Sequence, residues 1–199
     1  MGSDYEPKPV TRFIGTMVET DRLRLEPFAP THLDALYAMD SDPVVMRFIG
    51  DGVPRTMADT EAAIMRVSAR WAEFGFSWWA VVERRSGEVV GGACLQHLAN
   101  KPGAPLEIGW RLRPQFQGRG FATEAGQAAI DFAFGPVGLG RVVAVANPEN
   151  SASIRVMERL GMRYLGVQTH YSQPCAVYEL QRDWSLGSTK GSDVSPSCS

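Results

Sequence analysis

The spacing of apolar residues changes repeatedly along the chain, and each change predicts a new element of secondary structure. Apolar and polar positions alternate over residues 22–28, with Leu23 and Leu25 on one face, which is typical of a half-buried strand. Residues 121–134 instead repeat at helical spacing, with alanines and phenylalanines along one stripe. The continuous apolar run at residues 142–146 is typical of a strand that is buried on both faces.

The remaining periodic segments complete an α/β order. Thr31 is a candidate N-cap for a helix over residues 31–39, with Asp34 at its third position. The other predicted helices cover residues 59–74 and 151–160, and the other predicted strands cover 78–84, 89–98, 106–112, 162–171 and 175–180. The order β-α-α-β-β-β-α-β-α-β-β predicts an α/β fold, with a mixed central sheet of about seven strands flanked by about four helices.

Composition predicts one domain with a loose segment at each end. The chain has 199 residues, of which 44% are hydrophobic, which suits a single core rather than two. Residues 1–17 are polar and contain two prolines, so we expect a flexible N-terminal arm. Residues 185–199 are rich in Ser and Gly and predict a disordered tail. The predicted domain therefore covers residues 18–184.

Charge and cysteine usage exclude several classes of function. A net charge of −2 argues against a strongly basic nucleic-acid-binding protein. The 3 cysteines and 3 histidines are scattered without ligand spacing, so no metal site is predicted, and the pattern suits a reducing compartment. The N-terminal residues lack the features of a signal peptide, and the apolar runs are too short to span a membrane. We therefore expect a cytoplasmic protein with no membrane partner.

A glycine-bearing loop between a predicted strand and a predicted helix carries the clearest chemical signal. Gly118 and Gly120 lie just before the helix that begins at Phe121. Free backbone amides and the helix dipole attract an anion there, most naturally a pyrophosphate, and glycine allows its close approach. The Gly-Lys-Ser/Thr run of a P-loop is absent, and Thr123 stands where a Rossmann fingerprint needs glycine. A tight strand-to-helix turn without a ligand is the structural alternative.

The whole segment resembles the coenzyme A signature of the Gcn5-related N-acetyltransferase (GNAT) superfamily. The matching residues are Gln115, Gly118 and Gly120, followed by Phe-Ala-Thr-Glu. Residues 20–25, 107–112 and 150–162 resemble the first strand, the fourth strand and the second cofactor motif of the branch that contains the ribosomal-protein N-terminal acetyltransferases. These matches cover about residues 18–180. The resemblance implies a single GNAT-type domain, in which the fourth and fifth strands splay apart.

The resemblance also implies acetyl-CoA as the cosubstrate. The pantetheine arm would lie in the gap between the splayed strands, beside Leu112. The pyrophosphate would rest on the backbone amides of a run that comprises Gln117, Gly118, Arg119, Gly120, Phe121 and Ala122. Arg119 would add a cation, whereas Arg111 or Arg113 would reach the adenosine 3′-phosphate or remain a solvated charge. Asn150 resembles the asparagine that contacts the pantetheine amide, although it equally suits a helix N-cap.

The catalytic roles implied by the resemblance begin with Glu107, which occupies the frequent general-base position on the fourth strand. Gly109 would mark a bulge that re-aims the Glu107 side chain, and a strand glutamate that faces solvent or pairs with an arginine is the alternative. Relatives often place a tyrosine where this chain has Met157, which fits a core position better. Candidates for the proton donor to the thiolate are therefore Ser153, which also suits helix capping, and Tyr171 or His170.

The sequence therefore predicts an acetyl-CoA-dependent N-acetyltransferase that acts on a primary amine. A protein N-terminal amine is favoured, because its pKa of about 7.8 lies closer to neutral pH than that of lysine, at about 10.4. The alternatives are a small-molecule amine, such as an aminoglycoside, polyamine or amino acid, and a non-catalytic acyl-CoA-binding module. Residues 48–56 are the predicted rim of the acceptor site. Pairing of two copies as a homodimer stays open.

Overall fold

A computed structural model describes residues 11–182 of the chain as a sheet flanked by helices. The strands are β1 (Arg12–Ile14), β2 (Met17–Glu19), β3 (Leu23–Pro27), β4 (Trp78–Glu83), β5 (Val89–His97), β6 (Leu106–Leu112), β7 (Arg141–Ala146), β8 (Arg163–His170) and β9 (Gln173–Gln181). The α-helices are α1 (Leu33–Asp40), α2 (Pro43–Met46), α3 (Met57–Phe74), α4 (Phe121–Phe134) and α5 (Ser151–Arg159). The predicted α/β fold with one mixed sheet is confirmed, with nine strands and five α-helices in the described residues rather than about seven and four.

The sheet has the order β1-β2-β3-β4-β5-β6-β7-β9-β8, and its one parallel junction, in the part of the chain described, joins β6 to β7. That junction consists of a single pair of facing residues, Glu107 and Val143, near the beginning of β6. Beyond this pair the two strands separate. The predicted splay between the fourth and fifth strands of the family fold is therefore confirmed, and it opens a gap in the middle of the sheet.

Helices cover both faces of the sheet. On one face α4 packs against a large apolar core that includes Trp79, Phe121 and Phe132. At Gly126 a Cβ atom would come within 2.9 Å of a Leu160 side-chain carbon and 3.2 Å of Trp110, so glycine allows α4 to approach β6 closely. On the other face, a smaller core joins α1 and α3 to the sheet; its residues are Phe28, Leu36, Met39, Ile64, Val67 and Ala80.

The first two strands form a hairpin that the sequence prediction missed. Gly15 turns the chain with a φ of +60°, and Phe13 packs edge-on against Phe132 at 6.0 Å. Trp79 Nε1 donates a hydrogen bond to the Thr16 carbonyl at 2.8 Å. Ordered structure therefore begins before the predicted domain boundary at residue 18, which falls inside β2. The rest of the predicted arm, residues 1–10, and the predicted tail lie outside the described residues.

Local capping corrects the predicted helix starts. Thr31 is not an N-cap, because residues 30–32 form a 3-10 turn in which His32 Nδ1 accepts a hydrogen bond from the Ala29 amide at 3.2 Å. Helix α1 then begins at Leu33. Helix α3 begins two residues earlier than predicted, because Thr56 and Asp59 form a reciprocal capping box. No helix within residues 11–182 has both the length and the apolar composition needed to cross a membrane.

Candidate active site

A cleft of about 470 Å³ opens where β6 and β7 separate. Its floor is formed by β6, and its walls come from α3, from the loop after α2, from the beginning of α5 and from the turn between β8 and β9. The residues predicted as catalytic, Glu107, Ser153 and Tyr171, all line this cleft, as does Asn150. Phe48, Ile49, Gly50 and Arg55 line it as well, so part of the predicted acceptor rim borders the same space.

Glu107 is held by two hydrogen bonds at the centre of the cleft. Its Oε1 atom accepts one from Gln96 Nε2 at 2.6 Å and another from the Tyr171 hydroxyl. Trp78 Nε1 donates to Gln96 Oε1 at 2.8 Å, which fixes the amide in turn. Gln96 was missed by the sequence analysis, although a glutamine in the apolar run of β5 is a signal of a buried hydrogen-bonded role. The arrangement leaves Glu107 Oε2 without a recorded partner among the described residues.

Burial sets the protonation behaviour of this cluster. Glu107 is only 5% exposed, and its desolvation raises the pKa from the ordinary 4.5 to about 7, although the hydrogen bonds from Tyr171 and Gln96 act in the opposite direction. Burial also raises the pKa of the Tyr171 hydroxyl, and the neighbouring Glu107 charge raises it further. Near neutral pH the site therefore contains a carboxyl group poised to gain or lose a proton beside a protonated phenol.

The tight turn between β8 and β9 carries Tyr171 to Glu107. Tyr171 and Ser172 have φ values of 52° and 59°, the left-handed conformation of a two-residue hairpin loop. A non-glycine residue held there stores backbone strain, which is common at functional sites. Gln173 donates a hydrogen bond to the Gly50 carbonyl, so this turn is tied to the rim loop. His170, the other candidate at this turn, does not line the cleft. Its Nε2 atom lies 3.4 Å from Gln168 Oε1.

The beginning of α5 supplies the opposite wall. Asn150 Oδ1 accepts a hydrogen bond from the Ser153 amide at 3.1 Å, so the N-cap alternative for Asn150 is confirmed. Met157 is 1% exposed and belongs to the large core, as its spacing predicted, while an edge of it reaches the cleft. The Ser153 side chain is half-buried on the same wall. Contact of Asn150 or Ser153 with a cofactor stays a prediction.

The glycine loop has the backbone geometry that its sequence predicted. Gly118 and Gly120 have φ values of +73° and +80°, and Gly120 is the N-cap of α4. The amides of the first turn, Phe121 and Ala122 among them, have no partner within the helix. Gln117 Nε2 donates to the Leu112 carbonyl at 3.0 Å, so the loop folds back onto the end of β6.

The buried carboxylate of Glu124 holds this loop in place through Arg22, a role that the sequence analysis missed. Glu124 accepts hydrogen bonds from Thr20 Oγ1 at 2.6 Å and from Arg22 Nε at 2.6 Å. Arg22 Nη1 then donates to the Arg119 carbonyl at 3.0 Å. The Arg22 guanidinium also lies 3.3 Å from the position that a Cβ on Gly120 would take. The turn between β2 and β3 thus holds the loop in place before any ligand is considered.

The arginines singled out in the sequence already have protein partners. Arg119 forms an ion pair with Glu83 at 2.7 Å and lies over the Phe121 ring at 4.6 Å. Arg111 pairs with the buried Asp40 at 2.8 Å on the cleft side of β6. Arg113 Nη1 donates to the Val89 carbonyl at 3.1 Å.

Gly109 does not form the predicted bulge. Strands β5 and β6 pair in continuous register from Gly91 with Leu112 to His97 with Leu106, with Cys94 opposite Gly109. A Cβ on Gly109 would lie 3.2 Å from Cys94 Sγ, so this glycine serves close packing rather than a change of strand direction. Glu107 reaches the cleft by ordinary strand alternation. Within residues 11–182, no group of three or more His, Cys, Asp or Glu residues has the arrangement of a metal site.

Comparisons with known proteins agree with this geometry. The family model described as Acetyltransferase (GNAT) domain matches residues 22–163. The uncharacterized N-acetyltransferase YnaD of Bacillus subtilis is 32% identical over 149 residues, 75% of this chain and 84% of YnaD. The uncharacterized protein YkkB of the same organism is 31% identical over 167 residues, 82% of this chain and 95% of YkkB. A GNAT-family acetyltransferase structure from Bacillus anthracis has a TM-score of 0.71 at 27% identity, covering 83% of this chain and 98% of that one.

The finer resemblance to the ribosomal-protein branch has weaker support. The structure of RimL, a ribosomal L7/L12 alpha-N-protein acetyltransferase in complex with coenzyme A, has a TM-score of 0.67 at 17% identity. It covers 81% of this chain and 94% of that one. Identity at this level shows a shared fold alone, so membership of that branch stays a prediction.

Proposed function

Since the chain belongs to the GNAT acetyltransferase family, we propose that it transfers the acetyl group of acetyl-CoA to a primary amine, with Glu107 as the general base. The observation that carries this proposal is the position of Glu107, a buried carboxyl with a pKa of about 7 at the point where β6 and β7 part. A base is most effective when its pKa lies near the working pH. Acetyl-CoA supplies the thioester carbon that the amine attacks.

The chain has a fitting cradle for the phosphates of coenzyme A. Both glycines of the loop adopt positive φ, and no atom lies within 4 Å of the position that a Cβ on Gly118 would take. The loop amides and the N-terminal end of α4 favour an anion there. The predicted pantetheine path along β6 is supported by the opening beyond Glu107, although the Leu112 carbonyl is already bound by Gln117. Asn150 and Ser153 would line that path from α5.

The pKa of Glu107 suits an α-amine better than a lysine side chain. Transfer of a proton from an α-ammonium, with a pKa of about 7.8, to a carboxylate near 7 costs about 1 kcal/mol. The same transfer from a lysine ammonium near 10.4 costs about 4–5 kcal/mol. This difference supports an N-terminal or other α-amine as the acceptor. A small-molecule amine of similar pKa would meet the same requirement.

Tyr171 acts as a positioning residue in this proposal. Its hydroxyl and the Gln96 amide both bind Oε1 of Glu107, so Oε2 is left to accept the proton of the amine. Because burial and the Glu107 charge raise the pKa of Tyr171, this phenol stays protonated and continues to donate while Glu107 accepts a proton. The role of proton donor to the departing thiolate then falls to Ser153 or to solvent, since a thiolate is a good leaving group.

The experiment presents the protein with acetyl-CoA and a panel of amines. The panel contains a lysine-free peptide with a free N-terminus, the same peptide blocked at its N-terminus and carrying one lysine, a polyamine and an aminoglycoside. Acetylated products are read by mass spectrometry, and release of coenzyme A is read with a thiol reagent. We expect acetylation of the free N-terminus to exceed that of lysine. Tight binding of coenzyme A with no acetylation of any member would favour the non-catalytic module instead.

A further inference from the structure

The cleft lining has more cationic than anionic side chains, although the chain as a whole has a net charge of −2. Its described lining contains four arginines, Arg55, Arg66, Arg70 and Arg111, against a single carboxyl, that of Glu107. A cleft that is lined by one sign of charge concentrates ligands of the opposite sign. The charge of the cleft lining therefore bears on which acceptor molecules can bind beside Glu107.

Two of these arginines are neutralised by their own carboxylates. Arg55 pairs with Asp51 at 2.8 Å, and Arg111 pairs with Asp40 at 2.8 Å. Neither arginine therefore presents an uncompensated charge to a ligand.

Arg66 and Arg70 form no ion pair within the described residues, although the charge of Arg66 acts on the exposed Asp59 in the first turn of α3. The two arginines lie one turn apart on the same face of α3, next to Val67, which packs into the smaller core. Within the described residues neither forms an ion pair or a side-chain hydrogen bond, and no carboxylate other than that of Glu107 lines the cleft they face. Arg70 is half-buried beside Gln96 and Asn100, and Arg66 lies nearer to solvent. The two guanidiniums thus provide a pair of unoccupied donors within the cleft that contains the proposed base.

On the basis of the proposed acetyl transfer, we propose that the acceptor amine carries a carboxylate or phosphate group, which Arg66 and Arg70 bind. The planar guanidinium matches both groups with two parallel hydrogen bonds. The amine then approaches Glu107 while the anionic group stays against α3. Polyamines and aminoglycosides carry several positive charges, so Arg66 and Arg70 disfavour them as acceptors. An N-terminal peptide with an acidic residue near its α-amine meets the requirement, as does a small amine that bears an acidic group.

The test compares acceptors in matched pairs that differ only in the anionic group. One pair is a lysine-free peptide with Asp at its second position and the same peptide with Asn. The other is ethanolamine phosphate and ethanolamine. Each is assayed for acetylation by the wild type, by the double variant Arg66→Gln/Arg70→Gln and by the control Arg159→Gln, which removes an exposed arginine from α5 outside the cleft. Binding of each anionic probe to the CoA-loaded protein is also measured by calorimetry.

We expect the anionic member of at least one pair to be preferred, and the pair that shows it identifies the source of the group. The double variant should raise KM for that member at least tenfold, with kcat and the affinity for coenzyme A unchanged, since a single charged hydrogen bond contributes about that much. Equal use of both members by the wild type, or an equal loss for both in the variant, would overturn the inference while leaving acetyl transfer intact. If no amine is acetylated, the proposal of acetyl transfer itself fails. Binding of an anionic probe that is weaker in the double variant would still support the anion site. Binding that is equal in the wild type and the double variant would refute the anion site.

Discussion

Replacing Glu107 with glutamine should change how the stability of the protein depends on pH. The folded state raises the pKa of this carboxyl from 4.5 to about 7 because the group is buried. A raised pKa means that folding favours the protonated form. The contribution to stability is therefore fully present below about pH 4.5 and is lost as the pH rises through 7. The side-chain amide of the Glu107→Gln variant cannot ionise, so this variant avoids the loss.

The size of the effect follows from the shift itself. One pKa unit corresponds to about 1.4 kcal/mol, so a shift from 4.5 to about 7 corresponds to about 3 kcal/mol in total. About 2–3 kcal/mol of that total should fall between pH 5 and pH 8. The free energy of unfolding of Glu107→Gln, minus that of the wild type, should therefore rise by this amount across the interval. Changes in hydrogen bonding that do not depend on pH shift the whole curve without altering its slope.

The assay is urea unfolding followed by tryptophan fluorescence at several values between pH 5 and pH 8. Glu88→Gln is the matched control, because Glu88 is exposed in the turn between β4 and β5 and its loss also removes one carboxylate. A difference between Glu107→Gln and the wild type that stays constant across the range would refute the reasoning. The site would then contain a carboxylate that is ionised throughout, and the energetic argument for an α-amine acceptor would fail with it.

Three further substitutions test the glycine loop, its contact with Glu124 through Arg22, and the packing of α4. Gly120→Glu should reduce affinity for coenzyme A by more than a hundredfold in calorimetry, whereas Gly138→Glu, with a similar positive φ and open space around it, should leave that affinity unchanged. Glu124→Gln should weaken coenzyme A binding about tenfold, because Arg22 loses the carboxylate that holds it against the loop; wild-type affinity would contradict this. Gly126→Val should lower the free energy of unfolding by about 2 kcal/mol in a urea titration, because α4 must move away from Leu160 and Trp110; unchanged stability would contradict it.

Strong periodicity with clear boundaries made the central elements predictable from the sequence. The bounds of β6 and α4 agree with the prediction at both ends, because a proline follows the strand and Gly120 precedes the helix. The N-terminal hairpin was missed because its strands have three residues each, too few to show a period. Thr31 was misassigned because the side chain of His32, rather than that of Thr31, completes the turn before α1.

The identity of several site residues could be predicted from the sequence, whereas the contacts between them could not. Glu107 and Tyr171 were each proposed from the sequence, yet their hydrogen bond joins residues 64 positions apart. It depends on a left-handed turn at Tyr171 that this residue type does not favour. Arg66 and Arg70 likewise line the cleft only because Ile64 and Val67 pack α3 against the sheet. Such contacts depend on tertiary packing, which local sequence patterns do not record.

The most direct test of Glu107 as the general base is the pH dependence of kcat/KM for acetylation of one α-amine peptide by the wild type and by Glu107→Gln. Dividing one profile by the other removes the titration of the amine, which both enzymes share. We expect the ratio of wild type to variant to rise through about pH 7 and to reach a plateau of about 10²–10⁴ at higher pH. A ratio that stays near one, or that does not change between pH 5 and pH 9, would contradict the assignment of Glu107 as the base.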